Sequence, residues 1–209
     1  MKKNNCIISI HIPKTGGGTF GLILERIYKD WFLKAHRPDI DIKVKDIESP
    51  YKGVSGVEDK IGGYDIIHGH FLFNEDLCNK GYDYITLLRE PVGRFISHYL
   101  YHHWQVPDEP YTIKEWCDMF PNLMTAFTGG DVSNYKFIGI LEKWERSLET
   151  FGRIFDKDMN VEYYNRNVNT SDNKKTIPIS DDDIKMIKEY NQKDIQFYKD
   201  AVEHWGYDV

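Results

Sequence analysis

Cysteine is scarce in this chain of 209 residues, and the three present, Cys6, Cys78 and Cys117, include no Cys-x-x-Cys pair. An odd, scattered set supports neither a disulfide framework nor a thiolate metal site. Cys6 falls in an apolar run, so a buried thiol is expected there. Long apolar runs are missing too: nothing approaches the roughly 18–20 residues of a membrane span. Met1-Lys2-Lys3-Asn4-Asn5 resembles the charged start of a secretory leader. The apolar stretch after it is short, however, and runs directly into a glycine-rich turn. The expectation is a protein without a membrane anchor in a reducing, cytoplasmic setting. Nor is there an excess of positive charge. A formal net charge of −6 speaks against nonspecific nucleic-acid binding, which needs a basic face. It speaks more weakly against a highly sulfated polymer as partner. The sequence shows no internal repeat, heptad run or low-complexity tract.

The chain does have the material of one ordinary globular domain, spanning 1–209, with 41% hydrophobic and 29% charged residues. Apolar runs of strand length fall at 6–11, 64–69, 83–88 and 137–141, with a weaker one near 161–164. Helical patterns fall at 18–32, 91–104, 112–119, 142–155 and 181–203. Ser180 can cap the last helix, and Asp181, Asp182 and Asp183 suit its positive end. The polar stretch 33–63 reads as a long surface excursion, and 105–111 and 165–180 read as loops. Strands alternating with helices predict an α/β fold of three layers: a mostly parallel central sheet, helices on both faces, ligands at the strands' C-terminal ends.

Two segments carry chemistry. The first, His11-Ile12-Pro13-Lys14-Thr15-Gly16-Gly17-Gly18-Thr19-Phe20, joins a predicted strand to a predicted helix. Strand, glycine-rich turn and helix N-terminus form a nest of backbone N–H groups that suits a phosphate, and Lys14 adds a mobile charge. It is not a Walker A loop, in which lysine comes last, before Ser or Thr. In the second, Arg89-Glu90-Pro91-Val92-Gly93-Arg94-Phe95-Ile96-Ser97, Arg89 ends a predicted strand and Pro91 suits the first turn of a helix. Ser97 lies about two turns in, so Arg89 and Ser97 could reach one anion.

The two segments, in this order, resemble those of the sulfotransferases that use 3′-phosphoadenosine 5′-phosphosulfate (PAPS). Phe137-Ile138-Gly139-Ile140-Leu141-Glu142 through Ser147-Leu148 resembles a strand-to-helix segment of the carbohydrate-type branch. Asn165-Arg166-Asn167-Val168-Asn169 is similar to its segment near the donor. The resemblance implies a P-loop-like fold and sulfuryl transfer from PAPS, with no metal required, to a carbohydrate or small-molecule acceptor. It places Lys14, Thr15, Gly16, Gly17, Gly18, Thr19 and Phe20 at the 5′-phosphate end of the donor. Arg89 and Ser97 would lie at its 3′-phosphate, and Asn167 nearby. It makes Lys14 and His70 catalytic, His70 as general base, with His68 orienting or assisting. Where the family segment often carries arginine, Asn122-Leu123-Met124-Thr125-Ala126-Phe127 has Ala126.

From the residues alone, His68 and His70 point to one side of a strand, with Gly69 leaving room between them. Two structural histidines remain an alternative, and no third ligand at metal spacing accompanies them. His98, His102 and His103 form either a ligand wall or core packing. A P-loop kinase and a catalytically inactive nucleotide-binding protein are the competing functions.

Overall fold

The computed structural model describes residues 6–35, 61–108, 111–160 and 177–207. Its centre is a sheet of five parallel strands in the order β2-β3-β1-β4-β5. They are β1 (Ile7–Ile10), β2 (Phe32–Ala35), β3 (Ile66–Gly69), β4 (Asp83–Leu88) and β5 (Phe137–Ile140). Four of them are buried almost throughout, as a sheet covered on both faces requires. Strand alternation divides the core. Ile7, Ile66, Ile85, Leu87 and Phe137 face one side, beneath α1 (Gly17–Tyr28) and α6 (Trp144–Phe155). Ile8, Ile10, Ile67, Tyr84, Leu88, Ile138 and Ile140 face the other. That side is covered by α3 (Pro91–Gln105), α4 (Ile113–Met119), α5 (Leu123–Thr128), α7 (Asp181–Tyr190) and α8 (Gln192–Trp205). A short α2 (Glu75–Asn79) joins β3 to β4. The three-layer α/β expectation holds, and β4 occupies the residues predicted for it.

Three expectations change. The polar excursion begins later than predicted, because Phe32–Ala35 is an edge strand. Its Lys34 lies in register with His68 and its Ala35 with Gly69. Four half-buried residues have no period to read, and their conformation comes from pairing with β3. The last helix is two helices meeting at Asn191. Asn191 is fully buried, and its side-chain amide donates to Ile187 O at 2.8 Å. Its carbonyl oxygen accepts from Asn122 N at 3.1 Å. In return, Asn122 Oδ1 accepts from Lys193 N and Asp194 N, while the Asp194 carboxylate accepts from Met124 N and Thr125 N. Helices α5 and α8 thus cap each other's first turns. Helices α2 and α5 were not anticipated. The weaker strand near 161–164 and the segment carrying Asn167 lie outside the described residues.

Strand order locates the crevice. From the central β1 the chain moves to one side for β2 and β3, then to the other for β4 and β5. Ligands of open α/β sheets bind at such a switch, outside the strands' C-terminal ends. Here those ends are His11–Lys14 after β1, His70 after β3 and Arg89 after β4.

Candidate active site

The turn after β1 is wound tightly. Thr15 Oγ1 donates to Ile12 O at 2.9 Å. Lys14 has φ 71° and Gly16 φ 87°, both left-handed, a conformation natural to glycine and strained for lysine. Gly16 precedes α1 without a side-chain cap, and its carbonyl accepts from Thr19 N and Phe20 N, each at 3.1 Å. The amides of Gly17 and Gly18, in the first turn, have no intrahelical acceptor. An uncapped helix N-terminus of this kind suits an anion. The Lys14 ammonium lies 4.0 Å from the centre of the Tyr101 ring on α3. Phe20, predicted at the donor, turns its side chain into the core against Phe151 and Phe137, so only its backbone belongs to the loop.

Three imidazoles stand beside this turn. Ser9 and His68 are in register on β1 and β3, and Ser9 Oγ lies 2.8 Å from His68 Nδ1. His68 Nε2 lies 3.0 Å from Gly17 O. A carbonyl only accepts, so Nε2 donates to Gly17 O, while Nδ1 is paired with the Ser9 hydroxyl, which can give or take a proton. His70 Nδ1 lies 2.6 Å from His11 O and therefore donates to it. The His11 ring stacks on both others, at 4.3 Å from His70 and 5.2 Å from His68. Two glycines make room for the rings. A Cβ on Gly17 would overlap the His11 ring, and one on Gly21 would come within 2.8 Å of His68.

The junction after β4 differs. Glu90 precedes α3, and its carboxylate accepts from Val92 N at 3.1 Å and Gly93 N at 2.6 Å. This helix start is occupied by its own cap, so an anion here must be held by side chains. Arg89 Nη1 donates to Lys14 O at 3.4 Å, which brings the two sequence segments together, and Ser97 follows two turns into α3. On the same helix Arg94 is fully buried, and among the described residues its guanidinium nitrogens have no hydrogen-bond partner. Burial draws its pKa down to about 10, partly opposed by Asp194, with Arg89 adding to the fall. One turn on, burial first and then the charge of Arg94 push His98 well below the usual histidine value. His98 packs on Trp116 and Phe120, and His102 on Trp116. His103 contacts Tyr111 O at 2.9 Å. This cluster packs as part of the helical layer rather than as a bare wall.

Lys14, Thr15, Gly16, Gly17, Gly18, Thr19, His70 and Arg89 thus lie at one end of the sheet, with His68 at the end of β3 and Ser97 two turns along α3. Sequence reasoning gave no role to His11 or Arg94, and placed Tyr101 only in the aromatic cluster read as a ligand wall or core packing. A signal for His11 existed: it lies two residues beyond Ser9, as His70 lies two beyond His68, on neighbouring parallel strands.

The comparisons show the family and the fold. Residues 1–199 match the model of the Sulfotransferase family. A sulfotransferase from Alicyclobacillus acidocaldarius superposes with a TM-score of 0.57 at 11% identity, covering 100% of this chain and 98% of that one. A mouse sulfotransferase, SULT7A1, solved in complex with PAP, superposes with a TM-score of 0.49 at 14% identity. That match covers 90% of this chain, which spans 64% of the mouse protein's length. No curated protein matches the sequence significantly. A five-stranded parallel sheet, a lysine-bearing loop at its switch point and a family match over nearly the whole chain lead to one conclusion: the chain belongs to the sulfotransferase family.

Proposed function

We propose that residues 1–209 act as one PAPS-dependent sulfotransferase domain that sulfates a hydroxyl of a carbohydrate or small-molecule acceptor. The donor set suits such a nucleotide. An uncapped helix start with Lys14 fits one phosphate, and Arg89 with Ser97, at a start already capped by Glu90, fits a second through side chains. PAPS, when bound, supplies an activated sulfuryl group whose leaving group is the 5′-phosphate of 3′-phosphoadenosine 5′-phosphate (PAP). The observation that supports the reading is the His70 hydrogen bond to His11 O, which makes Nδ1 the donor and ties the imidazole to the segment that carries Lys14.

The chain's part in the reaction is brief. His70 Nε2 takes the acceptor hydroxyl's proton as that oxygen bonds to sulfur, and the bond from sulfur to the bridging phosphate oxygen breaks. Lys14 and the first-turn amides of α1 stabilise the electron pair left on the departing phosphate. His68, with both nitrogens engaged, fixes Gly17 and so the start of α1. Its role is orientation. A reducing, cytoplasmic setting is part of the proposal, in keeping with the free Cys6, Cys78 and Cys117. Among the described residues no helix is long and apolar enough to cross a membrane.

The test is turnover with PAPS over a panel of sugars and phenols, with ATP and Mg²⁺ as a parallel arm, on wild type and His70→Ala. We expect PAPS turnover that falls about 10²–10⁴-fold in the variant, with melting temperature and PAP affinity nearly unchanged. Turnover of ATP alone would favour a kinase, and nucleotide binding without turnover an inactive member of the fold. A destabilised variant with full specific activity would remove His70 as the base.

A further inference from the structure

We infer that His11 is the positioning residue of the proposed base: its carbonyl and its ring together hold the His70 imidazole in one orientation and one tautomer, and the ring ties that orientation to the first turn of α1. This rests on the reading of His70 as base.

A histidine's outer torsion is broad and close to two-fold, so an unrestrained ring flips and exchanges the places of its two nitrogens. Only one of those orientations presents an accepting nitrogen to a hydroxyl. The Nδ1 bond to His11 O selects it, but one hydrogen bond leaves the ring free to swing about that contact. The near-parallel stack removes the swing. His70 lies on His11 at 4.3 Å with 19° between planes, and His11 lies on His68 at 5.2 Å with 17°. The far member cannot turn, because Ser9 and Gly17 hold its two nitrogens. The middle member cannot retreat, because the bare Cα of Gly17 closes on it. One residue thus supplies both restraints on His70, a backbone acceptor and a ring face. The same ring abuts the helix turn whose amides face the proposed donor phosphate. Small misplacements of a reacting group cost large factors in rate, so a restraint of this kind is a catalytic matter as well as a packing one.

The experiment reads the tautomer, independently of turnover. Histidine-¹⁵N-labelled wild type, His11→Phe and His11→Ala are compared by long-range ¹H–¹⁵N correlation, with and without PAP, the His70 signals assigned by their loss in His70→Ala. Wild type and His11→Phe, which keeps a ring to stack on, are expected to show His70 protonated on Nδ1. His11→Ala is expected to show signals averaged between the two tautomers. Its turnover should fall about 10- to 100-fold, with PAP affinity within about twofold. An unaltered Nδ1–H signature in His11→Ala overturns the inference, whatever turnover does. Should His11→Ala not fold, Gly17→Ala displaces the same ring from the other side, and an unaltered His70 signature there overturns it equally. Normal turnover by His70→Ala would instead remove the base while leaving the tautomer result standing.

Discussion

The starts of α1 and α3 are two answers to one problem. Both follow a buried parallel strand at its C-terminal end, and both belong to the segments proposed to hold the donor's phosphates. In α1 the position before the helix is Gly16, which has no side chain to offer, so the amides remain for a ligand. In α3 it is Glu90, whose carboxylate takes Val92 N and Gly93 N, and any ligand must turn to Arg89 and Ser97. A further carboxylate strengthens the closure: Glu142 Oε1 accepts from Glu90 N at 3.0 Å. The lesson concerns discrimination. Backbone amides at a helix start take any phosphate of the right size, whereas a side-chain pair takes only a phosphate placed where both can reach it. On the proposed reading, the first junction would bind what nucleotides share, and the second would read what distinguishes them.

The sharpest way to break this comparison is at Lys14, whose left-handed φ of 71° is a local cost retained at the site. Lys14→Gly should lower turnover about 10²–10³-fold, the loss expected for one group stabilising transition-state charge. The same change should leave the fold as stable or more so, by up to about 1 kcal/mol. Lys14→Arg should not restore the rate, since a planar fork does not replace a compact ammonium. Steady-state kinetics with parallel urea denaturation checks this. Undiminished turnover would strip Lys14 of its role.

Nucleotide selectivity comes next. Arg89→Ala should weaken PAP about 10- to 150-fold by removing a charged hydrogen bond, while AMP, which lacks the 3′-phosphate, binds as before. Gly16→Ala, strained at φ 87° and bringing its Cβ to 2.7 Å from Leu141 Cδ1, should weaken PAP and AMP alike. Calorimetry on the four pairs decides the matter. Equal losses of PAP and AMP in Arg89→Ala would merge the two junctions into one undivided site.

Removing the cap tests the other side of the contrast. Glu90→Ala should cost about 1 kcal/mol, roughly 2–4 °C in melting temperature for a chain of this size, with AMP affinity unchanged. A gain in phosphate binding at α3 would show that the cap had been the only thing excluding it.

The smallest effect concerns His98 on α3. Burial first, then the charges of Arg94 and Lys14 and the neighbouring His102, hold its folded pKa far below the ordinary value. The unfolded chain takes up a proton near pH 6.5 and the folded one does not, so stability present above that pH is lost on acidification. The limit is about 1.4 kcal/mol per pH unit for one proton. In His98→Gln the slope of stability between pH 7 and 5 should shrink by up to that amount. An identical slope would assign the acid sensitivity elsewhere.

How much of this could be read beforehand follows from the range of the forces involved. Tyr84-Ile85-Thr86-Leu87-Leu88 announces a buried strand by itself, because both faces of a parallel strand must be apolar, and β4 ends at the predicted residue. Both anion segments were legible for the same reason: glycine, lysine and proline at a strand-to-helix junction act through their own backbones. The edge strand β2 was not legible, since four half-buried residues acquire their conformation from β3. Nor was the break at Asn191, whose partner Asn122 is 69 residues away. The glycines show the difference within one segment. Their presence suggested close approach of an anion, and Gly16 takes the left-handed turn such a nest needs. Gly17 and Gly21, however, are glycine because His11 and His68 lie against them.

The sequence by itself therefore determined the class of fold, the sites where phosphate chemistry could occur and the residue types available there, because those depend on local geometry and on period. Only the tertiary structure decided what each histidine's nitrogens meet. His68 and His70 are chemically identical and two residues apart on one strand end. One has both nitrogens engaged by Ser9 and Gly17, and the other donates from Nδ1 to the carbonyl of His11. The partners come from a neighbouring strand and a helix start, brought within about 3 Å by the parallel register, and a tautomer is set by what the other nitrogen meets in space.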